Sequence, residues 1–298
     1  MRETEIDARL RGLPPIRRAR FWRLYAENGT RYLDFWQDGG RGILGARNAK
    51  LGLGLKEGID RGLDRPLPSR LEARLAKAAL ALVPGMRAIR LFRDERRALD
   101  ALSRLLGENP GGRPGQGAFG ASDGLLDSPL VFDPARIGPS TGDASPPAGL
   151  HRPFAAWLPE GSGSASSFPI AIPLLPLPRG LGPTIILFAD EGEAVKAGPG
   201  DLLAPLALRA ALDALTALVA YESKVNETHW RRIDRRIRHL FDRKGPWLFP
   251  KPGISDWNRV FDAALERGLL LSPDPLLPSI VPGDFDDGEA ARFNDLVP

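Results

Sequence analysis

The residue types that most often carry catalysis or bind metals are scarce in this sequence. Its 298 residues contain no cysteine, which excludes disulfides, thiolate metal sites and a cysteine nucleophile. The three histidines, His151, His229 and His239, do not have the spacing of zinc ligands. The remaining candidates are lysines, carboxylates that follow apolar segments, and the glycine cluster DGGRGILG at residues 38–45. The first question is whether this cluster prepares a catalytic site.

Carboxylates follow two apolar segments that each predict a β-strand. Asp94 comes soon after AIRLF, and Asp190 ends TIILFAD. A carboxylate at the beginning of a helix can cap it by accepting a hydrogen bond from a backbone N–H. Asp94 is therefore predicted to cap the next helix, and Asp190 is interpreted first as a helix cap or an ordinary acid at a strand end.

A basic segment, RRIDRRIRHLFDRK at residues 231–244, is a third candidate. A concentrated basic patch attracts anionic partners such as nucleic acid. Asp234 and Asp242 are interspersed among the arginines, which favours the solvated face of an amphipathic helix. The whole chain has 41 Lys and Arg against 37 Asp and Glu, a formal net charge of +4. Nucleic-acid binding is therefore the less favoured interpretation.

The elements that must position these residues begin with a β-hairpin. FWRLY at 21–25 and RYLDFW at 31–36 alternate in character, and Asn28-Gly29 between them tolerates the positive φ of a tight turn. The glycine cluster follows as a loop, because it contains too many glycines for a helix. A short helix is predicted over 49–62.

An α/β unit follows the hairpin and the loop. Helical spacing of apolar residues predicts a helix over 70–83, with Ser69 as its N-cap and Glu72 completing a capping box. A strand over 88–92 and a helix over 94–106 then give the order strand, turn, helix.

The second half of the chain starts with a region of loop composition. Residues 107–167 are rich in Gly, Pro and Ser, and within them 129–133 and 154–158 look like ordered segments. Strands are predicted over 168–175 and 184–190, the second buried on both faces. Three helices follow, over 201–225, 228–245 and 255–268. The first is apolar nearly all round and is expected in the interior or at an interface; the last has Ser255 as a possible cap and Gly268 at its C-terminal end.

The opening segment resembles the N-terminal region of class III pyridoxal-phosphate-dependent aminotransferases, which belong to fold type I. The family's hairpin and glycine-rich L-G-H loop are matched here by Glu27, Asn28, Gly29, Tyr32, Leu33, Asp34, Phe35, Gly39, Gly40, Gly42, Leu44 and Gly45, with Ala46 in place of the histidine. LEARLAKAALALVPGMRAIRLF, WNRVFDAALERGLLLSPDP and PSIVPGDFDDGEAARF are similar to later family segments. The resemblance covers roughly 20–106 and 240–293, and it implies that Gly39, Gly40, Gly42 and Gly45 form a loop near the substrate.

The resemblance implies pyridoxal phosphate as the cofactor if the protein is active. The family uses a lysine Schiff base, an acid on the pyridinium nitrogen, and a helix N-terminus that binds the phosphate. Its S-G-T phosphate turn is replaced here by Arg93-Asp94-Glu95, whose carboxylates satisfy the helix dipole and repel a phosphate. No lysine has the family's K-G-x-x-G-G context. The candidates are Lys224 and Asp190 for catalysis, and Arg93, Asp94 and Asp190 for cofactor contacts; Lys224 is interpreted first as a surface lysine.

The sequence predicts an α/β fold in which the family's large domain is reduced. A complete large domain needs a seven-stranded sheet, and each βαβ unit takes about 30 residues, whereas 107–200 contain only four strand-like segments and no convincing helix. We expect a reduced fold type I large domain, with a small α+β domain formed by the N- and C-terminal segments. The expected divisions are an N-terminal segment at 1–60, the reduced large domain at 61–227, and the C-terminal segment at 228–298.

Three functions stay open at this level. The favoured one is a non-catalytic aminotransferase-like protein that binds or scaffolds, with no cofactor assigned. The first alternative is an active transaminase or aminomutase with relocated site residues, and the second is a binder of anionic partners or nucleic acid through 231–244. The resemblance implies a homodimer. The N-terminus lacks the apolar region of a signal peptide and no apolar run is long enough to span a bilayer, so a cytoplasmic protein without membrane contact is expected.

Overall fold

A computed structural model describes residues 3–46, 49–107, 124–128, 130–137, 147–158, 167–294 and 296. Most of the predicted loop region 107–167 lies outside these residues. Of its two segments expected to be ordered, the first contains a two-residue strand at Val131–Phe132, and the second contains a short 3₁₀ turn at Ala155–Trp157. Residue 129, where the first of these segments begins, lies outside the residues that the structure describes.

The N-terminal hairpin is confirmed and forms part of a larger sheet. Strands β2 (Arg23–Ala26) and β3 (Arg31–Asp34) pair antiparallel, and Gly29 in the turn between them has a φ of 86°. β1 (Ile16–Arg20) pairs with β2, and β11 (Leu269–Leu270) pairs parallel with β3. The N- and C-terminal segments therefore form one sheet, in the order β1-β2-β3-β11, as expected for the small α+β domain.

A mixed five-stranded sheet forms the reduced large domain. Its order is β4-β8-β7-β6-β5, where the strands are β4 (Ala88–Phe92), β5 (Val131–Phe132), β6 (Ala148–His151), β7 (Ile170–Pro173) and β8 (Thr184–Phe188). β8 is antiparallel to both of its neighbours, while β7, β6 and β5 are mutually parallel. β4, β5, β6 and β7 therefore all run in one direction, and their carboxyl ends lie at the same edge.

Helices cover both faces of this sheet. Ile185 and Leu187 of β8 belong to a core shared with α3 (Arg70–Leu82) and α6 (Pro205–Glu222), whereas Ile186 and Phe188 belong to a core shared with α4 (Glu95–Leu105) and α5 (Glu191–Lys196). α2 (Ala49–Asp60) packs on α6. β8 is completely buried, as its unbroken apolar sequence predicts.

The predicted N-cap residues of α3 and α4 are present, whereas no hydrogen bond from Ser69 to the Glu72 side chain completes the capping box predicted for α3. The Ser69 hydroxyl accepts a hydrogen bond from the Leu71 amide at 3.2 Å, and the Asp94 carboxylate accepts one from the Arg97 amide at 2.8 Å. α9 (Trp257–Glu266) begins two residues after the predicted start at 255, because Asp256 rather than Ser255 caps it by accepting from the Arg259 amide.

The single helix predicted over 228–245 is wrong. The chain instead forms α7 (Glu227–Arg231) and α8 (Asp234–Ile237), followed by an antiparallel hairpin of β9 (Phe241–Lys244) and β10 (Trp247–Pro250). Gly245-Pro246 is thus a hairpin turn and not a helix end. The hairpin completes a three-stranded sheet with β12 (Ser279–Ile280) and buries Trp247 and Leu248, a gain that one long helix would lose.

The cores extend across the predicted domain divisions. One hydrophobic core extends without interruption from the α4 side of the five-stranded sheet to the sheet β1-β2-β3-β11 and to the sheet β12-β10-β9. The divisions at residues 60 and 227 stay predictions. α1 (Glu3–Leu10) and α10 (Asp287–Ala291) complete the fold. No helix in the described part of the chain is both long and apolar enough to cross a bilayer.

Arg243 holds the β9–β10 hairpin against α7 and α8. Its guanidinium lies 2.7 Å from the Glu227 carboxylate, contacts the Asp234 carboxylate, and donates to the Gly245 carbonyl at 2.8 Å. We expect Arg243→Ala to reduce the free energy of unfolding by about 2 kcal/mol, because two carboxylates lose a partially buried partner. Urea denaturation measures this. Arg231→Ala, at an exposed position on the same segment, is the control, and equal effects of the two variants would contradict the assignment.

Candidate functional site

A cleft of about 340 Å³ lies at the carboxyl ends of the parallel strands. Its walls are the connection from β7 to β8 at residues 173–184, the beginning of α4, and Arg41 of the glycine cluster. Ligands of open α/β sheets bind outside the carboxyl ends of the strands. This cleft is therefore the candidate site.

The cleft combines charges of both signs with an apolar wall. Asp7, Asp94 and Glu95 face it together with Arg41, Arg96 and Arg179, and its apolar residues include Leu125, Leu174, Leu175 and Leu177. No lysine is among the described residues that line it. In the described part of the chain, no group of three or more His, Asp or Glu side chains could hold a metal ion.

The amino end of α4 is occupied by the protein's own carboxylates. Asp94 accepts from the Arg97 amide, and Asp201 accepts from the Arg93 amide at 3.0 Å. The second Asp201 oxygen lies 3.0 Å from the Arg97 guanidinium. The Arg97 amide, one of the N–H groups that an anion would use at this helix N-terminus, is thus already paired with a carboxylate, and the Arg93 amide just before the cap is paired with another.

Glu95 connects the same helix to the glycine cluster. Its carboxylate pairs with the guanidinium of Arg41, whose side chain is only 4% exposed, and it accepts from the Leu125 amide at 2.9 Å. Burial makes this pair difficult to break, since removing either charge would leave the other desolvated and unpaired. The ion pair therefore fixes the loop relative to α4.

Gln37 and the first three residues of the glycine cluster have a left-handed backbone at four successive positions. The φ angles are 48° at Gln37, 47° at Asp38, 63° at Gly39 and 111° at Gly40. Residues other than glycine adopt this region at a cost, and such strain concentrates at functional sites. A Cβ at Gly40 would lie 3.4 Å from the Leu174 side chain, which forms part of the cleft wall.

Hydrogen bonds from neighbouring elements hold this strained loop. Asp34 accepts from the amides of Trp36 at 3.0 Å and Gln37 at 2.7 Å, and the Gln37 side chain donates to the Ile280 carbonyl at 2.9 Å. Asp38 pairs with Arg179 of the β7–β8 connection at 2.8 Å. Burial raises the pKa of Asp34 to about 6, and also raises that of Asp38 to about 6, where nearby Arg41 opposes the effect.

A second buried ion pair lies where β5 and β6 end. The Arg152 guanidinium makes two contacts of 2.6 Å with the Asp133 carboxylate, and the side chains are 1% and 3% exposed. Arg152 also donates to the Gly39 carbonyl. One guanidinium thus joins the central sheet to the glycine cluster.

The structure brings only some of the predicted site residues together. Asp94 lines the cleft, and Gly39 and Gly40 are buried beside it; Gly42 and Gly45 continue the same loop. Arg93 is exposed next to Asp94. β8 runs antiparallel to β4, so Asp190 lies at the opposite end of the strands from Asp94, where it is exposed. It caps α5 by accepting from the Glu193 amide at 3.1 Å. Lys224 is exposed just beyond α6.

Sequence reasoning missed the two ion pairs and the apolar wall. Arg41 lies inside the glycine cluster, so its charge could have marked it for attention. Asp133 is the last residue of a segment that is expected to be ordered, but no strand is predicted before Arg152. Their pairing depends on β5 and β6 lying side by side, which no local pattern in the sequence indicates.

Solved structures with the same fold are aminotransferases. An ω-transaminase from Sphaerobacter thermophilus is 14% identical, with 98% of this chain and 95% of that chain aligned and a TM-score of 0.65. An ornithine aminotransferase from Plasmodium yoelii is 14% identical, with 99% and 97% aligned and a TM-score of 0.63. An ω-transaminase from Pseudomonas jessenii, solved in complex with PMP, is 13% identical with a TM-score of 0.64 over 99% and 96% of the two chains. The chain therefore has the fold of class III pyridoxal-phosphate-dependent aminotransferases, as the resemblance implied.

A relative at the sequence level is an uncharacterized protein from Borreliella burgdorferi. It is 24% identical over 284 residues, which are 95% of this chain and 90% of that protein. The similarity to this protein is therefore not confined to the terminal segments. No protein-family model matches the chain.

The raised pKa of Asp34 gives the loop a measurable pH dependence. Its folded pKa of about 6 lies above the unfolded value of about 3.9, so the stabilisation is complete below pH 4 and is lost as the pH rises through 6. Between pH 7 and pH 5 we expect the wild type to gain about 1 kcal/mol relative to Asp34→Asn. Urea denaturation of both proteins at both pH values measures this difference. Asp38 is present in the wild type and in the variant, so its own pH dependence contributes to both. Parallel curves for wild type and variant would contradict the burial of this carboxylate.

Proposed function

We propose that this protein is a non-catalytic, aminotransferase-like protein that acts by binding or scaffolding. The proposal rests on the contacts at the beginning of α4. Asp94 accepts a hydrogen bond from the Arg97 amide, Asp201 accepts one from the Arg93 amide, and Glu95 forms an ion pair with Arg41. These contacts leave the helix end stabilised without a ligand. The strained loop and the cleft are then retained architecture that can receive a partner or a small molecule.

The residues around the cleft do not fit pyridoxal phosphate. A phosphate dianion in the cleft at the amino end of α4 would meet the carboxylates of Asp94 and Glu95, and repulsion would oppose binding. None of the described lysines lines the cleft, so a Schiff base there has no amine. The interior at the ends of β5 and β6 is filled by the Arg152–Asp133 ion pair.

The first alternative is an active transaminase or aminomutase with relocated site residues. It would use Lys224 as the amine and Asp190 as the partner of the ring nitrogen. Asp190 lies at the sheet edge opposite Asp94, since β4 and β8 are antiparallel. This separation argues against Asp190 and Asp94 contacting the same cofactor. The spectroscopic experiment below tests this alternative directly.

The second alternative, a basic helix that binds anions, receives less support. The segment 231–244 is divided between two short helices and a strand, and several of its arginines are engaged. Arg243 pairs with two carboxylates, Arg232 donates to the Phe285 carbonyl at 3.1 Å, and Arg236 donates to Asn294 at 3.1 Å. These contacts assign the segment a role in holding the C-terminal part together.

We further propose that the protein is a homodimer, as the family resemblance implies. Exposed apolar side chains on two neighbouring helices support a contact surface: Leu53 is 69% exposed and Ile59 62% on α2, and Val219 is 53% exposed on α6.

The wild type is expected to bind no pyridoxal phosphate as an aldimine. Addition of the cofactor should produce no internal-aldimine absorbance band, and borohydride reduction followed by peptide mass spectrometry should find no lysine labelled at one equivalent. One equivalent of label on Lys224, removed by Lys224→Arg but not by Lys196→Arg, would establish the active alternative.

Asp94→Asn combined with Glu95→Gln should bind inorganic phosphate about tenfold more tightly than the wild type, because two repelling charges are removed.

Sedimentation velocity at micromolar concentration is expected to give the mass of two chains. Replacing Leu53 and Ile59 by glutamate should shift the protein to the monomer, because charges would be buried in an apolar contact. Glutamate at Leu67, an apolar residue that is 43% exposed elsewhere, is the control. A monomeric wild type would refute the proposal.

A further inference from the structure

The outer edge of the four-stranded sheet is an arginine-rich strand. β1 has the sequence IRRAR and is the terminal strand in the order β1-β2-β3-β11, so no described strand pairs with its outer side. Arg17, Arg18 and Arg20 are exposed, and Ile16 is 40% exposed. None of the β1 residues lines the cleft.

No carboxylate in the described part of the chain pairs with these three arginines. On the neighbouring strand, Arg23 contacts Glu289 at 2.7 Å and Asp284 at 2.9 Å. Arg18 instead lies over the ring of Tyr25, with the guanidinium carbon 4.3 Å from the ring centre, and Arg20 lies 5.7 Å from the centre of the Phe21 ring. The strand therefore presents uncompensated positive charge next to unpaired backbone.

We propose that β1 binds an extended acidic segment of another protein, which adds to the sheet as a further strand. An edge strand offers N–H and C=O groups as a template for another chain. Arginines along the edge, and the irregular pairing between Ile16 and Arg18, oppose addition of a neutral or basic strand. Aspartates and glutamates in the added strand convert that opposition into attraction.

The contacts of the arginines favour an acidic peptide over single-stranded nucleic acid. Proteins bind single strands without sequence preference by stacking bases on accessible aromatic rings. Here Arg18 already covers Tyr25, and the ring of Phe21, which is 47% exposed, is approached by Arg20 and stacks with Trp22 at a centroid distance of 6.4 Å. One exposed ring does not provide the successive stacking surfaces that a single strand uses. The open backbone edge, by contrast, is a template for a further strand. This surface is separate from the cleft, so the inference stands independently of whether the cleft binds a ligand.

Fluorescence anisotropy of the full chain with a labelled peptide of alternating glutamate and threonine tests the proposal. Three comparison probes are a glutamine–threonine peptide, an N-methylated copy of the acidic peptide that cannot extend a sheet, and oligothymidine. We expect the acidic peptide to bind at least about tenfold more tightly than each of the three. Equal binding of the N-methylated copy, or tighter binding of oligothymidine, would overturn strand addition.

The protein variants locate the site on β1. Arg17→Glu, Arg18→Glu and Arg20→Glu together should weaken peptide binding at least about tenfold. The same change at the exposed Arg231, Arg235 and Arg238 alters the net charge equally and should leave binding within about twofold. If circular dichroism shows that the first variant is unfolded, glutamine at the same three positions replaces it. Equal losses in the two sets would refute a site on β1.

Discussion

The buried ion pair of Arg152 with Asp133 is the interaction on which the arrangement of the candidate site depends. The guanidinium joins the ends of β5 and β6, donates to the Gly39 carbonyl, and lies 5.6 Å from the centre of the Trp247 ring. One side chain therefore connects the central sheet, the glycine cluster and the C-terminal hairpin. A buried charge that loses its partner is strongly destabilising, so these three parts are held in a single relative position.

That constraint explains how a strained loop persists beside the cleft. Gln37 and Asp38 adopt left-handed conformations, and such conformations persist only where the surrounding structure fixes them. Arg152, Asp34 and the Arg41–Glu95 pair supply that fixation. Glu95, which holds the loop through Arg41, and Asp94, which caps α4, both line the cleft. In the proposed function, the glycine cluster keeps the family's architecture while these carboxylates oppose an anion beside it.

The two surfaces that could receive partners have different charge arrangements. In the cleft, three carboxylates and three arginines line the same cavity. On β1, the arginines have no carboxylate partners among the described residues and stand beside an open sheet edge. The formal net charge of +4 conceals this difference, because attraction depends on where charges are placed and paired and not on their sum.

The sequence by itself determined the features that depend on near neighbours. The Asn28-Gly29 hairpin, the Ser69 and Asp94 caps, and the buried apolar strand β8 each follow from residues within a few positions, and the family resemblance supplied the fold class. Tertiary structure decided the rest. A local pattern could not show that burial of Trp247 and Leu248 replaces the end of a helix by a hairpin, that antiparallel β8 carries Asp190 away from Asp94, or that Arg152 meets Asp133. The physical reason is that strand order and direction set these contacts, and they arise only when distant segments pack together.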